Sequence, residues 1–200
     1  MPFSNRTKDL PPLAGPAGWA RDLRYHEASR QCLAGILILL YTLTATPAPV
    51  LLAIGAVLVL LGLAVRMYAS GYIAKNKELA TDGPYALVRH PLYTGNLLAL
   101  LGFAIANGRW WAVPLVLAFF WFYYPPAIQY EDRKLKALFG AAWEHWSRSV
   151  PALWPSFRNL RGLEGGHWSI RKSFAKNGEI LIALYAVVCI VLIAHGALGE

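Results

Sequence analysis

The sequence predicts an all-α polytopic membrane protein with five transmembrane helices, and three observations predict it. Hydrophobic residues make up 56% of the chain and charged residues only 15%, too little polar surface to cover a soluble globule. Five apolar stretches have helical length: 32–46, 49–73, 92–107, 110–128 and 180–198. Of the 19 Lys and Arg, all but Arg66 lie outside these stretches.

Residues 1–18 are rich in Pro, Gly and charge, lack the apolar run of a signal peptide, and read as a loosely ordered tail. Over 19–30, Trp19, Leu23 and His26 fall on one helical face, as in a helix lying on a membrane surface. From residue 31 onward the chain reads as one membrane domain. The first and third stretches fall short of the roughly 20 residues a span needs, a gap that flanking Tyr, Trp and Arg can close by snorkelling. Thr46-Pro47-Ala48-Pro49 and Asn107-Gly108-Arg109-Trp110 permit only tight hairpins. The fourth span is expected to end at Tyr123-Tyr124-Pro125-Pro126, where two prolines bend a helix. Beyond it, Leu135, Leu138, Phe139, Trp143, Trp146 and Val150 form one apolar face of a single cytoplasmic helix ending at Pro151. Residues 156–177 read as an irregular basic linker.

The net charge of +8 raises the question of nucleic acid, but its distribution gives a membrane topology instead. Five Lys and Arg precede the first span, three lie in 74–91 and nine in 129–179, whereas Arg109 alone occupies a loop of the opposite side. By the positive-inside tendency the N-terminus and both long connections face the cytoplasm, and the C-terminus faces out. Arg66 is expected to snorkel to the cytoplasmic surface. Cys32 and Cys189 both fall in spans and lack metal-ligand spacing, so no metal site is expected.

The stretch Gly83-Pro84-Tyr85-Ala86-Leu87-Val88-Arg89-His90-Pro91-Leu92-Tyr93-Thr94-Gly95 carries the chemistry. Pro91 suits the first turn of a helix, which places His90 at the cap and Arg89 just outside it. Such a start offers a site for an anionic ligand group. Glu131 and Asp132 form the one acidic pair and offer a site for an ammonium, and Tyr85 and Tyr93 offer ring faces for a sulfonium or an adenine. Singly, each has a plainer reading as a solvated helix end, a cap or an interface aromatic. Together they are compatible with S-adenosylmethionine, although spacing alone does not select it.

These two elements resemble those of the isoprenylcysteine carboxyl methyltransferase and phospholipid methyltransferase group of integral membrane enzymes. Gly83-Pro84-Tyr85 with Arg89-His90-Pro91-Leu92-Tyr93-Thr94-Gly95 is similar to that group's G-x-Y…R-H-P-x-Y-x-G. The run from Glu131 to Trp143 is similar to its E-E-x-x-L…F-G-x-x-Y. The resemblance covers about 50–155 and leaves the tail and the 180–198 span outside. It implies an S-adenosylmethionine site on the cytoplasmic side, formed by Tyr85, His90, Pro91, Leu92, Tyr93 and Glu131 with main-chain contacts from Lys77, Glu78, Leu79 and Ala80. It also implies a lipid or amphiphilic acceptor entering from the bilayer, with Arg133, Trp143 and Trp146 towards the acceptor and His90 and Arg89 at the reaction centre. Trp143 and Trp146 stand where the group usually has tyrosines. Ala127 stands where the carboxyl methyltransferases often have a substrate-holding arginine, so among isoprenylcysteine carboxylate, phospholipid amine and similar acceptors a lipid amine or other acceptor is expected to be methylated at least as well as the carboxylate. Two rivals stand beside a methyltransferase: an NADPH-dependent reductase of the sterol type, which carries a related R-H-P-x-Y, and a non-catalytic membrane scaffold.

Overall fold

A run of lipid-soluble side chains with no internal partner dictates long helices, because only a helix satisfies its own backbone in an apolar medium. In the computed structural model, residues 5–73, 77–166, 168–176 and 178–199 are described, and they are helical throughout with short connections. The elements are α1 (Gly15–Tyr25), α2 (Glu27–Leu43), α3 (Pro49–Ser70), α4 (Pro91–Asn107), α5 (Ala112–Phe139), α6 (Ala141–Ser149) and α7 (Glu179–Gly199). Three of them, α3, α5 and α7, are long and apolar enough to cross a membrane. Helices α2 and α4 have 17 residues each, about 25 Å at 1.5 Å per residue, somewhat less than a bilayer core. Large apolar side chains such as Leu39, Leu43, Val57, Leu60, Leu184 and Val188 lie exposed along α2, α3 and α7, as expected of surfaces that face lipid.

Helices α3 and α4 form the centre, and their contact is built from glycine. A Cβ on Gly55 would stand 2.5 Å from the Gly102 carbonyl oxygen, and one on Gly102 would stand 2.6 Å from that of Gly55. One turn-pair further along, Gly62 and Gly95 meet in the same reciprocal way, at 2.6 and 2.7 Å. Small residues let the two backbones touch, which is how helices gain packing energy where lipid removes the hydrophobic drive. At the far end Asn107, fully buried, donates from Nδ2 to the Tyr41 carbonyl at 2.8 Å and to Thr44 Oγ1 at 3.0 Å, capping the end of α2.

Four expectations need correction. Helix α5 does not end at the prolines; it continues through Pro125 and Pro126 to Phe139. Pro126 lacks the N–H that would bond the Phe122 carbonyl, and Arg24 Nε of α1 donates to that oxygen at 2.9 Å instead. The apolar face of 135–150 is not one helix, because Gly140 at φ 52° separates α5 from α6. Arg66 does not snorkel. It is buried and forks onto Glu179, with Nε 2.9 Å from Oε2 and Nη2 2.8 Å from Oε1, and also bonds Asn96 Oδ1, so α3, α4 and α7 are tied together. Over 19–30 the chain forms two helices, α1 and the start of α2, divided at His26, whose Nδ1 accepts from the Ser29 N–H at 3.2 Å. Helix α1 lies on α5, with Tyr25 Oη 3.3 Å from Gln129 and the Arg133 guanidinium 5.8 Å from the Tyr25 ring. The described part of the N-terminal segment is likewise anchored, with Arg6 paired to Glu27 and lying 4.7 Å from the Tyr130 ring.

Candidate functional site

Pro91 starts α4, as its fixed φ and missing N–H favour, and His90 occupies the N-cap with its side chain free to reach elsewhere. The backbone just before it is held by residues that follow α6. Arg89 N–H donates to the Pro151 carbonyl at 2.8 Å, His90 N–H to that of Ala152 at 3.1 Å, and Ser156 N–H to that of Leu87 at 2.9 Å. Thr94 Oγ1 adds a bond to the Leu153 carbonyl at 2.8 Å. The R-H-P segment is therefore fixed from both sides before any side chain is considered.

Helix α5 brings Glu131 and Asp132 against it. His90 Nε2 lies 3.0 Å from Asp132 Oδ1 and Nδ1 lies 3.3 Å from Glu131 Oε2. An imidazole can donate from both nitrogens only when protonated. Burial opposes that charge, but the hydrogen bonds and the negative charges of Asp132 and Glu131 outweigh it and hold His90 above its usual range. Glu131 also accepts from the Tyr93 hydroxyl at 2.6 Å, and the His90 and Tyr93 rings stack at 5.6 Å. The Glu131 side chain keeps 39% of its surface exposed, against 4% for His90, so it is the carboxylate still open to a ligand.

Arg89 is occupied differently from expectation. Its Nη2 pairs with Asp132 at 2.9 Å, and its Nη1 donates to the carbonyls of Ser147 and Val150 at 3.0 and 3.1 Å, which caps the end of α6. It holds helices together where a ligand carboxylate was expected. Trp146, expected towards the acceptor, is buried and donates from Nε1 to the Tyr85 carbonyl at 3.2 Å, while Leu138 of the same expected apolar face is exposed, so that face is divided. Trp143 is half-buried beside the Arg89 guanidinium, 5.9 Å away, and its Nε1 has no partner among the described residues. Tyr85 is buried, and burial followed by the fields of Glu131 and Glu179 pushes its phenol up, so it stays neutral. Leu92, Leu79 and Ala80 pack around Tyr85 and Trp146. Lys77 and Glu78 are exposed, and no bond joins them to His90 or Glu131. Arg133 is exposed and lies with Tyr25, apart from Trp143.

Sequence reasoning missed three contributors: Tyr124, Asn96 and Arg30. Tyr124 meets Tyr93 edge-on at 5.2 Å and stacks on Phe120 at 3.8 Å. The available signal for Arg30 was its step of seven and eleven to Leu37 and Tyr41, the other buried positions of α2.

Comparison with known proteins identifies the family. The pattern of the phospholipid methyltransferase family matches residues 43–142, from the end of α2 through the start of α6. The chain is 39% identical over 133 residues to the cobalt-zinc-cadmium resistance protein CzcN of Cupriavidus metallidurans, a match covering 64% of this chain and 60% of that protein. It is 35% identical over 114 residues to the nickel-cobalt-cadmium resistance protein NccN of Alcaligenes xylosoxydans xylosoxydans, covering 56% and 53%. To the protein-S-isoprenylcysteine O-methyltransferase of Schizosaccharomyces pombe it is 34% identical over 80 residues, covering 39% and 34%. The chain thus matches little more than half the length of the resistance proteins and a third of the methyltransferase. No solved structure matches it. With half of its residues matched by the pattern, and both signature segments inside the match but for the last residue, Trp143, the chain belongs to the phospholipid methyltransferase family.

Proposed function

We propose that this protein transfers a methyl group from S-adenosylmethionine to a membrane-embedded or amphiphilic acceptor, at a site on the cytoplasmic face. The observation that carries the reading is Glu131, a carboxylate ordered by His90 and Tyr93 yet still 39% exposed, beside the start of α4. The donor set fits the charged end of the cofactor: Glu131, held by His90 and Tyr93 and still partly exposed, suits its ammonium. The cofactor supplies a methyl on a sulfonium, already activated for displacement. What remains for the chain is alignment and exclusion of water. His90 orders Glu131, and with both nitrogens on carboxylates it has no lone pair for a substrate proton. The nucleophile therefore brings its own electron pair, as a carboxylate or an unprotonated amine does. By the names of its resistance-protein relatives, the reaction belongs to resistance to cobalt, nickel, zinc or cadmium.

Titration of the purified protein with S-adenosylmethionine and with NADPH separates this reading from a reductase and from a scaffold. Only S-adenosylmethionine should bind. Glu131→Gln should weaken that binding roughly ten- to hundred-fold, the worth of a charge-assisted hydrogen bond of about 1.5–3 kcal/mol. Binding of NADPH alone, or unchanged affinity in the variant, contradicts the assignment.

A further inference from the structure

Arg30 lies near the head of the buried face of α2 and is 5% exposed. A guanidinium keeps its charge under all ordinary conditions and carries five N–H donors. Buried ones are paired, because an unpaired charge in an apolar setting is costly. Here Nη1 is sealed from solvent and meets no acceptor among the described residues. The neighbours of Arg30 are ring faces, with Tyr93 and Tyr124 centred 5.3 and 5.6 Å from the guanidinium carbon. Those rings offset part of the burial cost and leave the N–H groups unused. In the same aromatic cluster the Tyr123 hydroxyl is also sealed and without a partner.

We propose that Arg30 binds the anionic oxygen group, carboxylate or phosphate, of the amphiphilic acceptor. The word acceptor rests on the methyltransferase reading; the anion site does not. Charge supports the site. Arg89 and protonated His90 offset Asp132 and Glu131, which leaves Arg30 as the cation in excess. Placement supports it as well. The Tyr93 ring touches Arg30 on its face and bonds Glu131 through its hydroxyl, so an anion at Arg30 lies one ring away from the carboxylate proposed for the cofactor. Leu33 and Ile36, on the next turns of the same helix, are 40% and 59% exposed and give an acyl chain apolar surface to follow. The remaining source of such an anion is the carboxylate of S-adenosylmethionine itself, and the experiment tells the two apart.

The protein is placed in nanodiscs of zwitterionic lipid without cofactor and titrated with dodecanoate and with uncharged dodecanol, read by intrinsic fluorescence. Wild type should bind dodecanoate at least about tenfold more tightly than dodecanol, as expected of a charge-assisted bond. Arg30→Met should abolish that preference, and Arg30→Lys should keep most of it. Because Arg30→Met removes an unpaired buried charge, its thermal midpoint without ligand should equal or exceed that of wild type, which also shows that it folds. Its S-adenosylmethionine affinity should stay within about twofold of wild type, well under one charged hydrogen bond. A dodecanoate preference that survives in Arg30→Met overturns the site. A lowered midpoint with unchanged ligand binding makes Arg30 structural and also overturns it. Loss of S-adenosylmethionine affinity instead assigns the anion to the cofactor and overturns the acceptor role. If wild type binds no S-adenosylmethionine, the methyltransferase reading fails, while the dodecanoate arm still decides Arg30.

Discussion

At the scale of residues, the site is a row of charges in which each group holds the next. Arg89 fixes Asp132, Asp132 and Glu131 hold His90 as an imidazolium, and Tyr93 fixes the far side of Glu131. The folded-state pKa of His90 lies above its unfolded value of about 6.5. Its stabilisation is therefore fully present below that unfolded value and fades as pH rises through the folded one. Thermal melting of wild type and His90→Gln should show a gap that narrows towards alkaline pH, and a gap independent of pH would place His90 outside this charge row. The sequence identified these residues because proline, histidine and paired acids announce a helix start and its complement. It could not assign partners. Nothing in the spacing says that Asp132 takes Arg89 away from a ligand, or that Arg30, at the end of the segment read as a membrane-surface helix, reaches the same rings.

At the scale of elements, α4 is the platform, and its seat on α3 depends on absent side chains. A Cβ on Gly62 would stand 2.6 Å from the Gly95 carbonyl oxygen and 2.6 Å from the Ala99 nitrogen, both backbone atoms that cannot rotate away. Gly62→Ala should cost about 1–3 kcal/mol by overpacking and tilt the start of α4. Chemical denaturation and S-adenosylmethionine titration of the variant check both effects, and an unchanged midpoint would mean that the seam is looser than its geometry indicates. The apolar runs disclosed every long helix, since length and hydropathy are properties of the chain itself. The ends were less legible. His26 caps α2 six residues before the apolar run that starts at 32, and α5 survives two prolines because Arg24, distant in sequence, takes the carbonyl that Pro126 frees.

At the scale of the whole molecule, α7 lies outside the family match and is clamped to the family core by Arg66, Asn96 and Glu179. Arg66→Met strands a carboxylate that is 4% exposed and should destabilise the protein by about 3–5 kcal/mol, whereas Arg66→Met combined with Glu179→Leu should cost clearly less. Equal losses would mean that the ion pair itself supplies the stability. Three helices are long and apolar enough to cross a membrane, and the charge distribution predicts five spans with the N-terminus inside. An introduced cysteine at Gly199 should accordingly react with an impermeant reagent from outside and one at Ser156 should not; the reverse would move the site to the other face. The central claim is that the His90–Glu131 junction transfers methyl groups to a membrane acceptor. Its most direct test is to supply methyl-labelled S-adenosylmethionine to membranes containing the protein and then extract the lipid. Label should enter the lipid fraction with wild type and fall at least tenfold with Glu131→Gln, following the charged hydrogen bond it removes; lipid labelling that is equal in wild type, in Glu131→Gln and in membranes lacking the protein would contradict the account.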